Sequence, residues 1–167
     1  MSIKSLFSSV VIWLLFSFQS QAQDNNAAID YNDYLASTTD TLYTLGSKWG
    51  TKFGEIKEKR EFEKLAPVRK EIQNFIVRKK MEIFLMKDYK GSVKLRLAMV
   101  EFLCFQDYMI GQGFLPFESL SKTVSDNVLE KYVEKLSTLA EGEGEMLQKV
   151  VKEQEAYAAK NGFKMEE

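Results

Sequence analysis

The sequence predicts an all-α protein, an up-down-up-down four-helix bundle behind an N-terminal signal peptide. Apolar residues recur every three or four positions over long stretches, as on one face of a helix. No run alternates polar and apolar residues between turn signals, as a half-buried strand would. Only two prolines and nine glycines interrupt 167 residues. Four helical stretches joined by short connections make the antiparallel bundle the default arrangement.

The first helix is expected over about 27–59. Its stripe runs Tyr31, Leu35, Thr38, Leu42, Leu45, Trp49, Phe53 and Ile56. Asp30 and Asp33 suit the positive end of its dipole. Pro67 opens the second helix, 66–88, because proline fits a first turn and breaks an interior. Val68, Ile72, Phe75, Ile76, Ile83 and Met86 form its stripe. After Lys90-Gly91-Ser92, a third helix over 93–110 is apolar almost all round, a pattern expected of a helix covered on most sides. Gly111, Gly113 and Pro116 end it, and 113–122 is the longest irregular stretch. A cap at Thr123, Ser125 or Asp126 starts the fourth helix, 126–160, with Leu129, Val133, Leu136, Ala140, Leu147, Val150 and Ala158 on its stripe. The two outer helices are the longer pair.

Upstream of the bundle, Lys4, the apolar core from Val10 to Phe18 and Ser20-Gln21-Ala22 have the order of a cleavable export signal. That core falls short of the roughly 20 apolar residues a membrane span needs. The expected organisation is a signal peptide at 1–22 and one helical domain at 23–167, placed in the periplasm, outside the cell or at its surface, with no integral span in the mature chain. Without Lys4 the chain carries 22 Lys/Arg against 24 Asp/Glu, net −2. That balance argues against nucleic acid, whose partners carry a basic face. Residues 57–90 are nevertheless net +5 (eleven basic, six acidic) and 126–167 net −4 (six basic, ten acidic), which suggests that these stretches pair within the molecule.

The chain has no histidine and a single cysteine, Cys104. Imidazole-ligated haem, His-containing zinc sites, Glu-x-x-His di-metal bundles and Ser-His or Cys-His nucleophiles are therefore excluded within it. No catalytic residue, metal site or cofactor is expected. Cys104, between Leu103 and Phe105, reads as a buried, inert thiol; an intermolecular disulfide is the alternative. The run Glu141-Gly142-Glu143-Gly144-Glu145 lacks the spacing of a calcium loop and reads as a solvated, weakened piece of helix.

Two charges interrupt the stripes, Lys79 on the second helix and Glu143 on the fourth. Lys79 is expected to face the interior and to pair with Glu143, or else with Glu101 or Asp107, because an unpaired buried charge would cost several kcal/mol. Together these four residues would line a ligand pocket; the alternative is a plain ion pair. The second candidate is Phe114, Leu115 and Phe117, either a plug for the open end of the bundle or an exposed patch that docks a partner.

The signal ending Gln21-Ala22-Gln23, the opening Asp30-Tyr31-Asn32-Asp33-Tyr34 and the close Ala158-Ala159-Lys160-Asn161-Gly162-Phe163 resemble uncharacterised exported or surface helical proteins of bacteria. The resemblance implies no catalytic residue. A Leu-Thr-x-x-Gln signature of helical periplasmic chaperones is missing. The expected function is an exported, non-enzymatic bundle acting through contact with another exported or envelope protein, or alternatively a small-ligand binder built around Lys79.

Overall fold

The computed structural model describes the backbone of residues 3–165 and the side chains of residues 26–165. The expected signal peptide, 1–22, lies outside the residues whose side chains are described. Four helices carry the chain: α1 (Ile3–Ile56), α2 (Ala66–Leu85), α3 (Val93–Met109) and α4 (Asp126–Asn161), with no strand among the described residues. Each packs on its sequence neighbours and α4 closes the ring on α1, while the α1–α3 and α2–α4 diagonals barely touch. This is the four-helix arrangement that the apolar periodicity predicts.

Local chemistry sets the boundaries. α1 runs into a 3-10 turn at Lys57–Lys59, and Arg60 takes the left-handed conformation that stops it (φ 54°). A second 3-10 turn, Phe62–Leu65, buries Phe62 and Leu65 and hands over to α2, with Pro67 in its first turn. Between α2 and α3 the backbone reverses through Lys90 and Gly91, both at positive φ. Ser92 fixes that turn, its hydroxyl accepting from the Tyr89 N–H at 3.0 Å and donating to Asp88 Oδ1 at 3.1 Å. Gly162, at φ 72°, ends α4, and the Phe163 N–H returns to the Ala158 carbonyl at 3.2 Å.

The core follows the stripes of α1 and α2. Leu35, Leu42, Trp49 and Ile56 from α1 meet Ile72, Ile76 and Ile83 from α2 and Leu95, Met99 and Leu103 from α3, all buried. Each such side chain removed from water contributes about 1.5–3 kcal/mol.

Three expectations fail. α3 is not covered on most sides. Only α2 and α4 flank it, so Val93, Leu97, Cys104 and Tyr108 look outward, and the Cys104 thiol is exposed rather than buried. On α4, Val133, Ala140 and Leu147 of the expected stripe are exposed. Tyr132, Met146 and Tyr157 pack on the core instead, rotating the true contact face away from the assumed one. The segment after α3 is also less irregular than expected: Ile110–Phe114 is a π turn and Leu115–Ser119 a 3-10 turn.

Candidate functional site

Lys79 lies toward the interior but on the α1–α2 seam, its side chain 18% exposed. Its ammonium donates to Tyr34 Oη at 2.9 Å and stands 3.0 Å from Glu82 Oε2. Tyr34 Oη in turn donates to the same Glu82 oxygen at 2.9 Å, which closes a triangle. The ammonium also lies 4.5 Å from the centroid of the Tyr34 ring. Burial pulls the Lys79 pKa down, but the bonds with Tyr34 and Glu82 outweigh it and hold the amine above the ordinary lysine range. A lysine tuned for nucleophilic work needs the opposite shift.

The carboxylates expected beside Lys79 are elsewhere. Glu143 accepts from the buried amide of Gln106 at 2.6 Å across the α3–α4 seam. Glu101 pairs with Lys149 on the surface, and Asp107 with Lys80 at 2.9 Å on the α2–α3 seam. The four residues therefore form no common pocket. α2 and α4 are diagonal, so a Lys79–Glu143 bond would have to cross the apolar centre, whereas Glu82 is one turn away on the same helix. Diagonal placement also defeats wholesale pairing of the basic 57–90 and acidic 126–167 stretches. Arg60–Asp126 joins them, but Arg69 and Lys80 take Glu118 and Asp107, outside the acidic stretch.

The aromatic loop divides. Phe117 is fully buried, edge-on to Trp49 at 5.6 Å, Phe53 at 5.2 Å and Tyr132 at 5.6 Å. Phe114 stacks flat on Trp49, with centroids 4.4 Å apart. Both plug the end of the bundle, and of the three only Leu115 is exposed. Sequence reasoning missed the clamp that holds this plug. The buried Arg69 of α2 reaches Glu118 with two nitrogens, at 2.5 and 3.2 Å, and Gln73 at 2.6 Å. Its helical phase, beside Ile72 and Ile76 rather than opposite them, was the available signal.

Sequence reasoning also missed an outer face. On α2, Val77, Met81 and Phe84 follow helical spacing on the side next to α3 and are exposed. On α3, Val93, Leu97, Cys104 and Tyr108 do the same. The two rows run along adjacent helices. The half-buried Lys80–Asp107 pair lies between them, and Arg96 donates to the Phe84 carbonyl at 2.6 Å. Hydrogen bonding to Asp107 outweighs burial and raises the Lys80 pKa. The signal was legible in α2, which carries a second apolar row beside its core stripe.

Among the described residues no three acidic or cysteine side chains are grouped to hold a metal ion, and no helix is long and apolar enough to cross a membrane. Compared with known protein families, characterised proteins and solved structures, the chain matches none.

Proposed function

We propose that the protein is an exported, non-enzymatic helical bundle that works by protein contact through the outer α2–α3 face. The observation that carries this reading is the pair of exposed apolar rows, Val77, Met81 and Phe84 beside Val93, Leu97 and Tyr108, on two adjacent helices. Exposed apolar rows of this kind, here flanking a charged pair, mark interaction sites on folded proteins. Two neighbouring helices leave a shallow groove, and its complement is the apolar face of a third helix. The occupant is therefore an amphipathic helix of another exported protein. Cys104, exposed within the face, stands where such a contact would cover it.

A photo-cross-linking amino acid at position 97, in protein produced in its native host, tests this. One discrete adduct is expected, abolished by Met81→Glu. No adduct is expected from a probe at Lys131 on α4. An adduct with the mass of two copies would replace the heterologous partner with a second copy. The absence of a discrete adduct from position 97, or the same adduct from position 131, would remove the proposal. Met81→Glu should alter stability by no more than about 0.5 kcal/mol, as for other exposed substitutions.

A further inference from the structure

A second site lies away from this face, where α1 meets the end of α4 and the chain that follows it. A pocket of about 540 Å³ opens there, a size suited to a small molecule. Two of its lining side chains are amides more than nine-tenths buried: Asn32, 5% exposed, and Gln154, 6% exposed. The Asn32 amide nitrogen makes one long bond of 3.4 Å to Asp33, and its oxygen has no partner. The Gln154 amide makes no hydrogen bond among the described residues. The Asn32 oxygen is sealed from solvent, so the Gln154 amide is the unused polar group that a ligand in the pocket can reach.

The charge of the wall selects the ligand. Asp33 and Asp40 both line the pocket. Seven residues apart on α1, they share a face, and at 1.5 Å per residue they stand about 10 Å apart along the axis. That is too far for both to hold one metal ion and repels an anion. It suits two cationic ends joined by a chain, and Ile29 and Phe163 supply apolar wall for methylenes. Lys164 is the one basic side chain lining the pocket, and no ion pair joins it to either aspartate among the described residues.

We propose that this pocket binds a linear aliphatic polyamine, with an ammonium at each aspartate and the amide oxygen of Gln154 accepting from its N–H groups. Calorimetric titration of the full protein with spermidine at low salt tests this. Saturable one-to-one binding is expected. Asp40→Asn should weaken it by about fivefold, the upper range for an exposed ion pair. Gln154→Leu should weaken it further, and Glu130→Gln, on the exposed side of α4, should leave it unchanged. Butylamine, with one ammonium, should bind far more weakly. Three results overturn the proposal: no saturable heat with spermidine, equal loss with Glu130→Gln and Asp40→Asn, or butylamine binding as tightly as spermidine. Asp40 is exposed, so its variant tests the site without disturbing the fold.

Discussion

Tyr34 and Lys79, 45 positions apart in sequence, meet at 2.9 Å, and both bond to Glu82 Oε2. The contact joins α1 to α2 through a phenol that accepts from the ammonium and donates to the carboxylate. A triangle of this kind makes its members interdependent. Lys79→Met and Tyr34→Phe should each cost at most about 1.5 kcal/mol, since Glu82 stays in reach of water. The double variant should cost less than the sum by about 0.5–1 kcal/mol. Urea unfolding of the four proteins measures this, and strict additivity would show that the triangle is not coupled.

The same groups set the pH profile. The Glu82 pKa is lowered by its bonds to Lys79 and Tyr34, so its contribution holds above the unfolded value of 4.5 and is lost as pH falls below it. The Lys79 pKa is raised, so its contribution holds below the unfolded value of 10.5 and is lost above it. Burial pushes the Tyr157 phenol from 10.0 up to about 12, which likewise removes stability as pH rises past 10. With no histidine in the chain, no side chain has its ordinary pKa between about pH 5 and 8. The melting temperature should therefore be flat from about pH 5.5 to 9 and fall on both sides. Tyr157→Phe should soften the alkaline fall, because it removes a buried hydroxyl with no partner. A step near pH 6.5 would contradict this account.

Arg69 and Glu118 present the opposite case, a nearly buried pair with side chains 9% and 14% exposed. Removing one charge strands the other. Glu118→Gln should cost about 3 kcal/mol. The double change Arg69→Met with Glu118→Leu should recover most of that, since an apolar pair of similar volume often does as well as an ion pair. Denaturant midpoints decide it, and a Glu118→Gln protein as stable as the parent would show that the clamp contributes nothing.

What the sequence made legible was whatever depends on periodicity alone. The stripes of α1 and α2, from Leu35 to Ile56 and from Ile72 to Ile83, point into the core. Partners were not legible. The projection that places Lys79 inside its stripe does not say which neighbour its long stem reaches, and Glu82 on the next turn wins over Glu143 on the diagonal helix. Burial of α3 was misjudged for a related reason. A bundle gives each helix two neighbours, so an all-round apolar helix keeps an open side, here Leu97, Cys104 and Tyr108. The end pocket depends on Gln154 and Phe163 coming back beside Asn32, a long-range closure that no local pattern encodes.

Within the loop, Phe117 and Leu115 should behave differently although two residues apart. Phe117→Ala removes a ring held among Trp49, Phe53 and Tyr132, a loss of about 3–5 kcal/mol, and should shift Trp49 emission to the red. Leu115→Ser should change stability by about 0.5 kcal/mol or less. Similar losses for both would mean that the loop docks through Leu115 as firmly as through Phe117.

The glycines of the Glu-Gly-Glu-Gly-Glu run separate in the same way. A methyl group added at Gly144 would meet nothing within 4 Å, whereas one at Gly142 would come within 2.9 Å of the tip of the Phe105 ring. Gly144→Ala should therefore gain the ordinary helix-propensity benefit of about 1 kcal/mol. At Gly142 the same benefit is set against displacement of a ring wedged between α3 and α4, and crowding of this kind costs about 1–3 kcal/mol. The two substitutions, identical in chemistry and two residues apart, should differ by at least about 1 kcal/mol, with Gly144→Ala the more stable. Thermal melts of the two variants measure the gap directly. Equal stabilisation by both would mean that Phe105 swings away freely, and that Gly142 is present only as part of a solvated run of helix.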